Sequence, residues 1–351
     1  MKRKSNVISG MFALAAILCL ILDGQTAITG GSDGVALCLQ SVIPSLFPFF
    51  VITPLLIVSI EKQAEVFLKP FASVLHLSPK QIPYFISGLL GGYPVGAKNI
   101  RDGYMSGELS HNEAVRMLSF CCNAGPAFLF GICGGLFQSR WTPWFIWMIH
   151  IISSFIIGIT IPGSSSGHTN RSDTQITLMQ SFQNAIRSIA GVCGWVILFK
   201  VYLAIAEKWI LWYLPQWLKT ALIGFMELTN GCISLYQIPG EDIRFLLCCV
   251  FIGFGGVCVW MQTLFVLQPL SAKPYLLGKI WQTIISFLLA LLVVAIKNHM
   301  VMTAVSSIII LLMLIFVTSH CAKKITVAIQ KEIMYNKTKI REVGYAVSKE
   351  N

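Results

Sequence analysis

Charge is what this sequence has least of. Only 12% of its 351 residues are Asp, Glu, Lys or Arg, and just 15 are acidic; a soluble domain carries about 25% charged residues. So few charges cannot cover a water-facing surface, which excludes an ordinary soluble globular protein. No C-x-x-C pair occurs among the eleven cysteines, so neither a zinc site nor a disulfide framework is indicated. The cysteines sit mostly inside apolar stretches and read as small buried side chains. Neither H-E-x-x-H nor G-x-x-x-x-G-K-[ST] is found, so zinc-protease and ATP-hydrolysing chemistry lack their signatures. No cofactor and no metal is expected, and the chain is not read as an enzyme.

Long apolar runs are abundant. Apolar residues make up 55% of the chain and the mean hydropathy is +0.73. A run of about 17 residues or more can cross a hydrocarbon core of roughly 30 Å. Eight runs qualify as spans: Val7–Leu22, Val35–Ile60, Ala114–Phe137, Pro143–Ile161, Ile189–Ala206, Ile243–Leu267, Tyr275–Ile296 and Met300–Ser319. Trp141, Trp144 and Trp147, and Trp209, Trp212, Tyr213 and Trp217, gather at run ends, where amphipathic rings settle at a membrane interface. Two further segments, Ile82–Pro94 and Leu218–Ile233, are broken by Gly, Pro or polar residues; both are expected to be re-entrant half-helices. The first span follows Lys2-Arg3-Lys4 as a signal peptide would, but no small-x-small cleavage site precedes Gly30, so it is read as retained.

The net charge of +11 does not indicate nucleic acid, because the cations lie at span edges and in the tail. With the N-terminus inside and both half-helices returning to their own side, twenty of the 26 Lys and Arg fall on inner segments and five on outer ones, with Lys200 within a span. Such a bias is the positive-inside pattern and places both termini in the cytoplasm. The chain then divides into an N-terminal span and outer loop (1–34), a first membrane repeat (35–162), an inner linker (163–180), a second repeat (181–296), a final span (297–320) and a basic tail (321–351). Val66, Phe67, Phe71, Val74 and Leu75 make the 61–81 segment amphipathic, as for a helix lying on the inner surface.

The two repeats match element by element. Each has a span, a half-helix and two more spans. Gly88-Leu89-Leu90-Gly91 lies beside Gly224-Phe225-Met226-Glu227, Gly96 beside Gly231, and Asn123-Ala124-Gly125-Pro126 beside Gly253-Phe254-Gly255-Gly256. Three crossings separate equivalent elements, so the repeats are inverted, a transporter pattern. A helix broken inside the membrane frees N–H and C=O groups that only protein, water or solute can satisfy. Two matched breaks therefore predict a polar cavity between the repeats. The expected fold is all-α: a polytopic membrane protein of about eight transmembrane helices plus two re-entrant half-helices in an inverted repeat.

Gly91-Gly92-Tyr93-Pro94-Val95-Gly96-Ala97-Lys98, Asn123-Ala124-Gly125-Pro126, Glu227-Leu228-Thr229-Asn230-Gly231, and Phe254-Gly255-Gly256 with Gln262 resemble the nucleoside-recognition, or Gate, membrane family. The nearest likeness is to its sporulation integral membrane proteins of the YlbJ/SpoVV type, over roughly residues 35–295. The resemblance implies a membrane protein of endospore-forming bacteria, in the cell or forespore membrane, and an association with dipicolinate movement or with nucleoside-like solutes.

Candidate solute-binding residues follow from the breaks. Glu227 is a carboxylate inside an apolar half-helix, which costs roughly 2.5–3.5 kcal/mol on insertion scales; it is followed by Thr229 and Asn230. It is either an acceptor for solute N–H or O–H groups, a proton or sodium site, or a structural carboxylate. Gly92, Tyr93, Pro94 and Gly96 either line the cavity with freed backbone, Tyr93 packing on the solute, or form a plain turn. Lys98 and Arg101 are inner anchors that an anionic solute could also use. Asn123 and Gly125 put an amide beside a kink, and Gln262 is a weaker candidate of the same kind. Lys200 snorkels outward, pairs with Glu227 or meets an anionic solute. His150 is read as hydrogen-bonded core. The partners expected are the lipid bilayer, a small polar solute and a coupling ion, H+ or Na+. The leading expectation is a secondary carrier or gated permease; a non-transporting assembly factor is the alternative, and a membrane-embedded enzyme the weakest reading.

Overall fold

The computed structural model describes residues 2–60, 70, 72–163, 176–317 and 319. Among these residues every regular element is helical and no strand occurs. The expectations for Val66, Phe67 and Phe71, for linker residues 164–175 and for the tail 321–351 lie outside the described residues. Five helices are long and apolar enough to cross a membrane: Gly24–Ile60, Thr142–Thr160, Leu178–Trp209, Glu241–Leu267 and Lys273–Lys297. Shorter apolar helices occupy Ala13–Leu22, Pro126–Leu136 and Val301–Val317. Each of the eight overlaps one expected span, but Ala114–Phe137 is not one continuous helix, because the chain is irregular at 119–125 and only Pro126–Leu136 remains as an apolar helix. The protein is an all-α polytopic integral membrane protein. Its outer faces fit that solvent, with Met302, Phe316 and Trp212 each at least three-quarters exposed.

α1 (Lys2–Leu22) is followed by α2 (Gly24–Leu37), which Asp23 caps by accepting from the Thr26 N–H. Residues 24–34, expected as part of an outer loop, are helical instead. α2 runs through a π turn at Cys38–Val42 straight into α3 (Ile43–Ile60). A hairpin of α4 (Ile82–Gly91) and α5 (Val95–Met105) follows, then α6 (His111–Leu118). An irregular stretch at 119–125 separates α6 from α7 (Pro126–Leu136). α8 (Thr142–Thr160) closes the first half.

The second half repeats this order. α9 (Leu178–Trp209) is its long helix, and α10 (Gln216–Met226) with α11 (Leu228–Ser234) its hairpin. α12 (Glu241–Phe254) and α13 (Gly256–Leu267) form the broken helix, and α14 (Lys273–Lys297) closes the half. α15 (Val301–Val317) stands last.

The long helices of the two halves pack antiparallel. A Cβ on Gly30 would meet Ala204, one on Gly34 would meet Ile197, the Cys38 thiol faces the Cys193 carbonyl, and the Ser181 hydroxyl donates to Val51. As one number rises the other falls, so the equivalent long helices run in opposite directions, as inverted repeats require.

Both hairpins fold back on themselves. Residues eight apart in a straight helix are separated by about 12 Å, yet a Cβ on Gly96 would lie 2.8 Å from the Gly88 Cα. Gly231 meets the Gly224 backbone in the same way. Only glycine allows the two arms to cross this closely, and the same device serves both halves. Neither expected half-helix runs unbroken.

Candidate functional site

Each hairpin tip rests on the break of its own half. Gly92, at φ +76°, packs on Gly125, where an added Cβ would come within 2.6 Å of the Gly125 nitrogen. A proline stands at the start of a helix on either side of this contact: Pro94 is the N-cap of α5 and Pro126 the first residue of α7, where its missing N–H would be unpaired in any case. In the second half Glu227 is extended and separates α10 from α11. Across the contact stands Gly256, at φ +85° like the preceding Gly255, and a Cβ on it would meet the Leu228 nitrogen at 3.2 Å. Two successive left-handed residues require glycine, which is why α12 stops and α13 starts there.

The tip of the first hairpin then reaches across to the α12–α13 break of the other half. The Tyr93 hydroxyl donates to the Ile252 carbonyl at 3.2 Å, and its ring lies over Gly255. Beside this contact is a cavity of about 50 Å³. The first half contributes Ser41, Val42, Ser45, Leu46, Tyr93, Gly125 and Phe128; the second contributes Val196, Glu227, Leu228, Thr229, Val259 and Gln262. Val42 and Val196 lie near the centres of helical stretches of 37 and 32 residues, so the cavity sits at mid-length of the bundle. The π turn at Cys38–Val42 brings Ser41 and Ser45 to its wall.

Glu227 is buried and caps α11: Oε1 accepts from the Thr229 N–H at 3.1 Å and Oε2 from the Asn230 N–H at 2.7 Å. A carboxylate offers about four lone-pair positions, so acceptor capacity remains for a donor in the cavity. Lys200 reaches the Asn230 side-chain oxygen at 2.7 Å. It therefore bonds the residue that Glu227 caps and is not hydrogen-bonded to Glu227 itself. The buried Asn230 amide nitrogen has no partner. Gln262 lines the cavity and bonds the Cys258 sulfur at 3.3 Å.

Of the sequence candidates, Tyr93, Gly125, Glu227, Thr229 and Gln262 come together on the cavity wall. Gly92 and Gly96 stand behind it as contact glycines, and Pro94 is the N-cap of α5. Lys98 is buried against Asp102 at 2.6 Å, and Arg101 bonds the same carboxylate and the Gln268 carbonyl. Neither reaches the cavity. Asn123 faces a separate polar cluster, bonding Ser154 and accepting from Gln282 at 2.9 Å, while His150 accepts from the Ala124 N–H at 2.8 Å.

Sequence reasoning passed over Ser41, Ser45, Lys279 and Gln282. Lys279 was counted among the inner anchors, but it is the seventh residue of α14 and only 2% exposed. Its ammonium bonds Gln282 at 2.7 Å and lies 5.1 Å from the Tyr93 ring centre and 5.8 Å from that of Tyr275. A lysine inside an apolar run is the signal that was available.

The chain is similar to the sporulation integral membrane protein YlbJ of Bacillus subtilis (strain 168), with 25% identity over 308 residues, covering 78% of this chain and 72% of that protein. No family model matches the chain. No solved structure matches it.

Proposed function

We propose that this protein is a membrane transporter, a secondary carrier or gated permease for a small polar solute, and that it works in sporulation. The observation carrying this reading is a mid-length cavity between the halves, walled by a residue of each hairpin tip, Tyr93 and Glu227. Breaks at matched positions of inverted halves are how carriers present backbone groups to a solute. Similarity to a sporulation integral membrane protein supports the setting. A cavity of about 50 Å³ has room for little more than one or two waters, so on this reading a solute enters only when the cavity widens. Opening requires one half to rock against the other, with the antiparallel α2–α3 and α9 contact as its bearing. Dipicolinate and nucleosides are the first solutes to try, with H+ or Na+ as the coupling ion.

The test is uptake into proteoliposomes containing the full chain. Saturable uptake of one of these solutes, abolished or sharply altered by Glu227→Gln, is the expected result. Absence of uptake for every solute, with the protein folded and inserted, would leave the assembly-factor reading in its place.

A further inference from the structure

Three cations are buried among the described residues, and they are satisfied very differently. Lys98 has the Asp102 carboxylate. Arg116 donates to the carbonyls of Leu75, His76, Gly158 and Ile161. Lys279, more deeply buried than either, has one hydrogen bond, to Gln282, and two aromatic faces. An ammonium has three donors, so two are unused. No carboxylate of the described residues lies within ion-pair distance of it. Around it stand Tyr93, Cys122, His150, Tyr275 and Gln282, none of them an anion at neutral pH.

A second group nearby is also incomplete. The Tyr275 hydroxyl is 1% exposed and has no well-formed hydrogen bond, although the Thr263 hydroxyl is close. Both groups belong to α14, four residues apart, with the ammonium 5.8 Å from the Tyr275 ring centre; a carboxylate is the acceptor that suits a charged donor with spare N–H groups best. The partition between them and the cavity is Tyr93, which lines the cavity and also packs against the Lys279 ammonium.

We propose that Lys279, assisted by the Tyr275 hydroxyl, is the receptor for a carboxylate of the transported solute, reached when the Tyr93 ring swings aside. This rests on the carrier reading, and it narrows the solute to a small organic acid. The acid group pairs with Lys279 while a neutral N–H or O–H of the same molecule faces Glu227 across the cavity.

The experiment is binding of dipicolinate, benzoate and succinate to the purified full chain by calorimetry, each against its neutral amide. The wild type is expected to bind at least one acid about tenfold or more tightly than its amide. Lys279→Gln should abolish that preference while keeping the amide's affinity, and Lys279→Arg should retain part of it. If Lys279→Gln does not fold, Lys279→Met is measured in its place. A wild type with no preference for any acid overturns the proposal without any variant, as does a neutral variant that keeps the preference. Failure of the carrier reading looks different: acid preference dependent on Lys279, but no uptake of the bound acid.

Discussion

Lys200 of α9 donates to the Asn230 side-chain oxygen of α11 at 2.7 Å, and Asn230 is itself held by Glu227 through its backbone N–H at 2.7 Å. The carboxylate therefore does two things at once: it stops α10 from continuing into α11 and it lines the cavity. Glu227→Ala should destabilise the fold by about 1–3 kcal/mol, since two buried N–H groups lose their acceptor. Glu227→Gln keeps one acceptor oxygen and turns an NH2 toward the other N–H, so it should cost about 1 kcal/mol, less than the alanine, while lowering solute uptake about tenfold or more. Thermal unfolding in detergent and proteoliposome flux separate the two effects. Unchanged flux in Glu227→Gln would remove the carboxylate from the solute path.

The glycine crossings make a sharper structural prediction. A Cβ on Gly88 would collide with the Cys121 carbonyl and one on Gly231 with the Gly224 backbone. Backbone cannot rotate away as a side chain can. Gly88→Ala and Gly231→Ala should each cost about 1–3 kcal/mol or more through overpacking. Gly194, inside α9, has nothing within 4 Å of an added Cβ; Gly194→Ala should gain up to about 1 kcal/mol from helix propensity. Melting temperatures of the three variants test the contrast. Equal behaviour at all three positions would mean that the hairpin arms do not cross at these glycines.

How much of this was legible in the sequence depends on how local the cause is. The break at 91–96 was visible because Gly and Pro carry their own backbone preferences, and the break at 227 because a carboxylate interrupts an apolar run. Residues 24–34 were not. Gly30, Gly31, Ser32, Asp33 and Gly34 read as loop, yet Gly30 and Gly34 are helical because their missing side chains let α2 approach Ala204, Val201 and Ile197 of α9. That contact spans more than 150 residues of chain, and propensity carries no trace of it. Lys279 was missed for the same reason. Its residue number fits an anchor near a span edge, and only the tyrosines of α14 and of the other half's hairpin tip show that it is enclosed.

The junction of α1 and α2 supplies a pH test away from the cavity. Lys208 pairs with Asp23 at 2.7 Å, and the Trp209 indole N–H donates to the same oxygen at 2.9 Å. The Lys208 ammonium, with Thr26, holds the Asp23 carboxyl down to about 2, against an ordinary 3.8. A carboxyl lowered in the folded state stabilises it above the unfolded value and loses that contribution as pH falls through the folded one. The junction should therefore be unchanged from about pH 8 to about pH 4 and loosen only toward pH 2. The difference in tryptophan emission between wild type and Trp209→Phe reports it. Asp23→Asn should shift that difference at every pH; a midpoint near neutrality would break the assignment.

Orientation is the remaining step between the helices and a working carrier, and α9 is the element to decide it. Its 32 residues span about 48 Å, longer than a hydrocarbon core of roughly 30 Å, so its ends must emerge on opposite faces. Leu178 at one end is 64% exposed and Trp212 just past the other is 76% exposed. Both accept a label, as the buried Lys98 would not. The described native cysteines are buried except Cys19 and Cys193, which are half-buried; replacing these two and Cys321 by serine gives a quiet background. In intact cells a membrane-impermeant maleimide should react with Trp212→Cys and reach Leu178→Cys only after permeabilisation, because the lysine and arginine excess puts the 178 end inside. Labelling of both from outside would rule out α9 as a crossing. With α9 gone as a crossing, α2–α3 would lose its antiparallel counterpart in the membrane, and the inverted pairing of the two halves could not be a transmembrane one.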